Sequence, residues 1–180
     1  MKLNVLGGLL VGVASNLIFL LTYWAGILRT EKGGYVLLLA SAVHAIVLIL
    51  VLSRHRSDAL PNAVPFARLF GAGLMLSFVA GLFAAIGSYT FTTLIDPTYL
   101  GWIVERSIEY IKTLEMPEAQ LQEEIAAMPS RVSAVSYAIQ GLIGVCMTGF
   151  FLSLVISALL RLRAMKLVAS EQTQRPSAPA

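Results

Sequence analysis

The stretch Leu69–Ile95 reads LFGAGLMLSFVAGLFAAIGSYTFTTLI and contains no Asp, Glu, Lys or Arg. A helix needs about 20 consecutive apolar residues to cross the hydrocarbon core of a bilayer, which is roughly 30 Å thick. Three other stretches are similarly apolar and free of charge: Leu3–Leu28, Gly33–Ser53 and Val132–Leu160. The sequence therefore predicts an all-α integral membrane protein with four transmembrane helices.

Composition places the whole chain in the same class. Of its 180 residues, 57% are hydrophobic and 13% are charged, whereas soluble domains average roughly 45–50% and about 25%. A small soluble domain could not hide so much apolar surface, so we infer that lipid surrounds the chain. This excludes a cytosolic enzyme domain, a nucleic-acid binder with a basic face and a disordered chain. The single cysteine, Cys146, excludes a disulfide framework and a cysteine-based zinc site.

The chain is expected to form one membrane domain over residues 1–168. We predict a four-helix bundle with a two-helix outer loop between the third and fourth helices. The approximate spans are 5–28, 34–53, 67–95 and 132–161, and the outer helical loop covers 96–131. Residues 169–180 include Pro176 and Pro179 and are expected to form a flexible cytoplasmic tail.

The distribution of lysine and arginine predicts the orientation. With four spans, the termini and the middle loop share one side, which carries eight of the thirteen basic residues and two of the ten acidic ones. The opposite side carries the remaining five basic and eight acidic residues. Because cytoplasmic loops are enriched in Lys and Arg, both termini are predicted to be cytoplasmic and the loop 96–131 to lie outside.

The outer loop, residues 96–131, is much longer than an ordinary connection between helices. Asp96-Pro97 is typical of a helix start, with Asp as the N-cap and Pro at the first helical position. Met116–Glu118 breaks this first helix and starts a second one, which Pro129 is expected to end. The loop is therefore predicted to be a pair of short helices.

Acidic residues and one tryptophan form a candidate partner or interface surface on this helical pair: Trp102, Glu105, Glu109, Glu118, Glu123 and Glu124. One interpretation is simply a face in contact with water. The alternative is a docking surface for a cationic partner or a divalent ion.

Small residues recur at four-residue spacing in three of the four spans. Water supplies no hydrophobic drive between helices inside lipid, so small residues let helices approach and pack closely. The candidate packing seam consists of Gly8, Gly12, Gly73, Ser77, Gly81, Ala85, Gly149 and Ser153. We expect this seam to pack helices within one chain, and the alternative is that it also joins protomers.

Few polar side chains lie at membrane depth, where such groups are the usual functional candidates. Asn16, His44 and Gln140 stand out, and counting from the helix ends places Asn16 and His44 near the midplane. We predict that these two bond to each other or share a partner on the third or fourth helix. One interpretation is a structural contact of about 1 kcal/mol or less; the other is a proton-sensing or substrate-facing imidazole.

The run Phe91–Leu100, FTTLIDPTYL, together with the helix order and the long acidic loop, resembles the bacterial membrane family called domain-of-unknown-function 4199. Further stretches fit the same outline: Pro65–Gly71, Met116–Glu118, Pro129 and Gly141–Gly144. The middle loop, residues 54–62, departs from it because it has no glycine-containing turn. The resemblance implies a bacterial inner-membrane protein with a periplasmic outer loop, and it brings no catalytic residue.

The four apolar stretches hold no Asp, Glu, Lys or Arg, and the chain has no HExxH, CxxC or glycine-rich phosphate motif. We therefore predict a non-enzymatic protein with no catalytic residue, no cofactor and no metal site. The expected function is an accessory or assembly subunit of a membrane complex, or a small oligomer. Its expected partners are membrane lipids and either another protein or a second copy, with no nucleic acid.

Two alternatives remain open at this stage. The first is a small transporter or channel whose path is lined by Asn16, His44 and Gln140. The second is a lipid- or quinone-handling enzyme, which would need a reactive group that the sequence does not offer.

Overall fold

The computed structural model describes residues 2–57 and 65–174. This described part is all-helical and contains no strand. Its α-helices are α1, Lys2–Trp24; α2, Gly34–Ser57; α3, Phe66–Thr90; α4, Tyr99–Ile111; α5, Glu118–Arg131; and α6, Ala134–Gln174. A 3-10 turn, Glu31–Gly33, precedes α2, and a π-helical turn, Phe91–Ile95, continues α3.

Within the described residues, four helical segments are long and apolar enough to cross a membrane: Lys2–Trp24, Gly34–Arg56, Phe66–Ile95 and Ala134–Arg163. Their outward faces expose large aliphatic side chains such as Leu38 and Leu50, which are 66% and 64% exposed. Contiguous apolar surface of this kind suits contact with lipid. The prediction of an all-helical chain with four apolar spans is confirmed.

Helix α3 lies against all three other spans, α1, α2 and α6. A Cβ atom added to Gly8 of α1 would lie 2.5 Å from the carbonyl oxygen of Leu76. One added to Gly81 of α3 would lie 2.8 Å from Leu142 Cδ1 of α6. Both distances are too short for a real side chain, so these helices touch at backbone distance.

Other residues of the expected seam lie at the same crossings. An added Cβ atom would overlap a neighbouring side chain in the pairs Gly12 with Phe83, Gly73 with Ser153 and Gly149 with Ser77. Ala85, also assigned to the seam, is half-buried. All of these contacts lie within one chain.

The best-buried apolar core lies in the half of the protein away from α4 and α5. Leu48 and Leu52 of α2 and Leu76 of α3 are 0% exposed. Val11 of α1 and Ile156 of α6 pack into the same cluster, so all four spans contribute to it. Tight packing of α2, α3 and α6 is therefore concentrated at the ends of the spans that lie away from α4 and α5.

The end of α1 and the start of α4 differ from the predicted boundaries. α1 ends at Trp24 instead of residue 28, because the chain turns at Gly26, whose φ of 71° falls in the left-handed region that glycine adopts easily. α4 starts at Tyr99 instead of Pro97, but the Asp96 carboxylate still accepts a hydrogen bond from the Thr98 backbone N–H at 3.2 Å.

Two later boundaries differ as well. The prediction that Pro129 ends the second outer helix is wrong, since α5 runs through it to Arg131. An ion pair between Arg131 and Glu124, at 2.5 Å, spans these last turns. α6 extends to Gln174, so the expected flexible tail 169–180 begins as helix, and residues 175–180 lie outside the described residues.

Gly149→Ala is expected to lower the free energy of unfolding by about 1–3 kcal/mol, as overpacking usually does. The added Cβ would overlap Ser77 and lie 3.0 Å from His44 Cε1. Gly144→Ala in the same helix is the control, because its Cβ would meet no atom within 4 Å. We expect it to be neutral or to stabilise the helix by up to about 1 kcal/mol. Thermal unfolding in detergent compares the two, and equal midpoints would contradict backbone contact at Gly149.

Candidate functional site

A cavity of about 470 Å³ lies between the four spanning helices, in the half that faces α4 and α5. Each span supplies part of its lining: Val11–Phe19 of α1, Val36–His44 of α2, Ala80–Ser88 of α3 and Tyr137–Thr148 of α6. Its volume is within the range of about 300–1,000 Å³ that small-molecule sites occupy. The three polar residues singled out from the sequence, Asn16, His44 and Gln140, all line this cavity.

His44 lies at the deep end of the cavity and is 3% exposed. Its Nε2 atom lies 3.0 Å from Ser77 Oγ, and Ser77 Oγ lies 2.9 Å from the Gly73 carbonyl oxygen. A serine hydroxyl has one proton to give. If Ser77 donates to Gly73, His44 Nε2–H donates to Ser77; if Ser77 donates to His44 Nε2, the imidazole hydrogen is on Nδ1. In both tautomers no partner for Nδ1 occurs among the described residues, so this atom offers the cavity a lone pair or an N–H.

Asn16 lies on the wall of the cavity, one span away from His44. Its Nδ2 atom donates to the backbone carbonyl oxygen of Phe83 in α3 at 2.9 Å. The amide lies directly against Gly87, where an added Cβ atom would overlap it. Asn16 is therefore fixed against the backbone of α3.

The prediction that Asn16 and His44 bond to each other or share a partner is wrong. Both side chains bond to α3, but to different residues, Phe83 and Ser77, and no bond joins them directly. Gln140 differs from both, because it is exposed and has no hydrogen-bond partner among the described residues.

The cavity is closed below His44. Val11, Leu48 and Leu76 are at most 1% exposed in this layer. Ser153 and Ser157 of α6 are also 0% exposed, and within residues 2–57 and 65–174 no hydrogen-bond partner for either hydroxyl oxygen occurs. Close packing, which includes these two hydroxyls, thus continues from His44 towards the side of the termini, and the cavity ends blindly.

An aromatic cap covers the outer end of the spans; it consists of Phe19, Tyr23, Phe91, Tyr99, Trp102 and Tyr137. Phe91 is 1% exposed, and edge-to-face contacts join it to Phe19, Tyr23 and Tyr99 at centroid distances of 4.8, 5.0 and 5.2 Å. Such contacts add to the free energy of burial itself. Since Phe19 and Tyr137 also line the cavity, the cap forms part of its outer wall.

An ion pair connects the segment beside this aromatic cap to the loop that follows α1. The Arg29 guanidinium lies 2.5 Å from Asp96 Oδ2 and also donates to Thr98 Oγ1 at 2.8 Å. Asp96 is 5% exposed. Its burial would raise the pKa of the carboxyl, but the Thr98 and Arg29 hydrogen bonds and the Arg29 charge outweigh burial, so the pKa lies below its usual range. Asp96 is therefore held as a carboxylate.

The candidate surface on α4 and α5 is only partly free. Trp102 stacks on Tyr99 with centroids 5.5 Å apart and is half-buried. The carboxylates divide into two groups. Glu109, Glu118 and Glu124 have partners in Arg106, Gln122 and Arg131. Glu105 and Glu123 are exposed, and no partner for either occurs in the described part of the chain.

The described residues contain no group of three or more His, Cys, Asp or Glu side chains placed to hold a metal ion. The carboxylates of α4 and α5 are therefore not brought together as a divalent-ion site in residues 2–57 and 65–174. A cationic partner remains the alternative for this surface.

Sequence reasoning missed three contacts, of which the first two shape the site. These are the Arg29–Asp96 pair, the close approach of Gly87 to Asn16, and a 2.5 Å bond between His55 and Asn4 at the opposite end of the spans. The charge of Asp96 beside a span could have pointed to a buried pair. Nothing in the sequence identified its partner, which lies 67 positions away.

Asp96→Asn is expected to lower the free energy of unfolding at pH 7 by about 1 kcal/mol, because the charge-assisted bonds to Arg29 and Thr98 weaken. The folded-state pKa of Asp96 is depressed, so its contribution is present above the unfolded value of about 3.9 and disappears as the pH falls through the folded value. Unfolding midpoints measured from pH 7 to pH 3 should therefore converge with those of the unaltered chain. Glu105→Gln, at an exposed carboxylate, is the control and should change nothing; a constant Asp96→Asn deficit across this range would contradict the charged pair.

Comparison with known families gives one match, to the family described as "Protein of unknown function (DUF4199)", over residues 7–161. Neither curated proteins nor solved structures give a match. The matched range takes in all four apolar spans and both outer helices. The resemblance carried by the run Phe91–Leu100 is thereby confirmed, and this chain belongs to the DUF4199 family.

Proposed function

We propose that this chain is a non-enzymatic accessory or assembly subunit of a membrane complex, or a small oligomer, which acts by binding. The observation that carries this proposal is the blind cavity, in which close packing begins immediately below His44. Val11, Leu48 and Leu76 fill that layer and are at most 1% exposed. A closed space suits a protein that holds a partner or ligand better than one that conducts a solute.

The same geometry bears on the alternative of a small transporter or channel. Asn16, His44 and Gln140 do line one cavity, as a path would require. A path would also have to continue past His44, where the backbone of Gly149 already lies against the Ser77 side chain. The transporter is therefore the less supported of the two.

The chemistry of the cavity favours a binding role over catalysis. Asn16 is engaged by the backbone of α3, and His44 by Ser77. Among the described residues that line the cavity, none is Asp, Glu, Lys, Arg or Cys. Hydrolysis and group transfer generally use an activated nucleophile or a paired acid and base. The Ser77 hydroxyl lies 3.0 Å from His44 Nε2, but Ser77 is 1% exposed and does not line the cavity, so this hydroxyl is poorly placed to reach a substrate.

The surface most open to a partner is the outer face of α4 and α5. Seam glycines such as Gly8, Gly81 and Gly149 are already used inside the chain, which leaves them unable to join protomers. Exposed carboxylates at Glu105 and Glu123 favour a partner with a basic surface, since complementary charge steers association.

In this proposal the four spans form a four-helix bundle in a bacterial inner membrane, with α4 and α5 as a periplasmic outer pair. The termini and the middle loop face the cytoplasm, because that side carries eight of the thirteen Lys and Arg residues.

The subunit proposal predicts that the chain, purified in gentle detergent, has a native mass well above its own 19.4 kDa. The double variant Glu105→Lys/Glu123→Lys should shift the species towards the single chain, because it reverses the charge of the free carboxylates. Glu115→Lys, at an exposed position between α4 and α5, reverses one carboxylate charge outside the candidate surface and should keep the complex. A lone chain from the unaltered protein would refute the proposal.

The orientation is tested by labelling single cysteines with a membrane-impermeant maleimide in intact spheroplasts. The variants are made in a Cys146→Ala background. Ala126→Cys on exposed α5 should react from outside. Arg163→Cys, at the end of the fourth apolar span away from α5, should react only after lysis. The reverse pattern would place the termini outside.

A further inference from the structure

We propose that the cavity is a binding site for an uncharged membrane amphiphile with a hydroxyl-bearing head group. This inference goes beyond the proposed subunit function, since a ligand could bind whether or not the chain belongs to a complex. Neutral glycerolipids and isoprenoid quinols share the chemistry in question: a small uncharged head with hydroxyl groups on an apolar chain.

The opening of the cavity indicates that its ligand comes from the bilayer. Of the described lining residues, three are exposed: Leu37, Gln140 and Gly144. Leu37 lies on α2 and the other two on α6, so the mouth lies between these two spans. At Gly144 an added Cβ atom would meet nothing within 4 Å. A gap between two spans, within the hydrophobic length of both, faces lipid and not water.

The mouth widens towards the outer side because α2 and α6 meet closely only further in. At the level of His44, an atom added to Gly149 would lie 3.0 Å from His44 Cε1. One more turn inwards, Leu48 packs against Gly73 beside Ser153. Towards the outer side, Leu37 and Gln140 stand exposed on either side of the opening. A ligand would therefore enter sideways and lie with one end towards His44.

The lining selects an uncharged ligand. It combines apolar walls with hydroxyl, amide and imidazole side chains, and the described lining includes no Asp, Glu, Lys or Arg. The polar members are Ser15, Asn16, Ser41, His44, Ser88, Tyr137, Gln140 and Thr148. A charged head group placed here would lose its hydration without gaining an opposite charge, which costs several kcal/mol or more. An uncharged head loses much less.

Two unused polar groups favour a hydroxyl on the ligand. His44 Nδ1 has no partner among the described residues, because the ring bonds to Ser77 through Nε2, and it offers a lone pair or an N–H according to the tautomer. The Gln140 amide, at the mouth, has no partner among the described residues and can both donate and accept. A hydroxyl can donate to or accept from either group, whereas a purely apolar chain would leave both without partners.

The proposal predicts selective binding to the full-length chain reconstituted in nanodiscs of phosphatidylcholine. The probes are a monoacylglycerol, an isoprenoid quinol kept reduced, and a fatty-acid anion with the same acyl chain as the monoacylglycerol. Native mass spectrometry reads the bound mass, and the shift of the unfolding midpoint with ligand concentration gives the affinity. We expect at least one uncharged probe to bind about tenfold or more tightly than the anion. The uncharged probe that binds shows whether the ligand is a neutral glycerolipid or an isoprenoid quinol.

A plug variant tests whether binding takes place in the cavity. Gly144→Phe adds a ring at the mouth without displacing any atom within 4 Å of its Cβ, and it should weaken binding about tenfold or more. Gly71→Phe is the matched control, because its Cβ also meets nothing within 4 Å and it lies on α3 outside the cavity lining. Its affinity should equal that of the unaltered chain.

A second variant keeps the test decisive if the plug disturbs folding. Gln140→Leu removes the amide at the mouth but no described contact, so the unfolding midpoint without ligand should hold while binding of the hydroxyl-bearing probe weakens. The proposal is overturned if the anion binds as well as the uncharged probes, if Gly144→Phe and Gly71→Phe bind alike, or if no probe binds. Native mass also reports the number of protein chains separately, so failure of the ligand proposal is distinguishable from failure of the subunit proposal.

Discussion

The backbone contact that α3 makes with α1 on one side and α6 on the other determines the arrangement of the spans. Gly8 lies against the Leu76 carbonyl, and Gly81 lies against Leu142, at distances that no larger side chain would permit. Inside lipid, association depends on close packing and on hydrogen bonds instead of the exclusion of water. The glycines at these crossings, which carry no side chain, thus allow α1, α3 and α6 to pack at short range.

Helix α2 is the exception, and the cavity follows from it. Its one glycine, Gly34, lies at its first residue, where an added Cβ would meet nothing within 4 Å. The interior of α2 is instead rich in leucine, isoleucine and valine, which keep neighbouring helix axes further apart. Large side chains such as Leu48 and Leu52 fill the resulting space in the inner half. In the outer half α2 contributes Ala40 and Ser41 to the lining, and these small side chains leave the space open.

Much of the fold could be predicted from the sequence because it depends on patterns that repeat along the chain. Runs of apolar residues without charge define the spans, and small residues at four-residue spacing define a face of α3. The site depended on pairings between distant residues. The Arg29 and Asp96 charges are each visible in the sequence, but their contact across 67 positions depends on where the loop after α1 meets the turn after α3. Likewise Ser77 was identified by its small size, and its role as the partner of His44 emerged only from the crossing of α2 over α3.

Ser77 joins the two halves of the molecule. Its small side chain lets Gly149 of α6 reach α3, and its hydroxyl oxygen lies within hydrogen-bond distance of both His44 Nε2 and the Gly73 carbonyl oxygen. The contact that closes the inner half therefore also fixes the orientation of the imidazole at the deep end of the cavity. A larger residue at this position would push α6 away, and one without a hydroxyl would leave His44 Nε2 buried without a hydrogen-bond partner, at a cost of about 1–3 kcal/mol. Close packing and the polarity of the cavity floor are thus consequences of one serine.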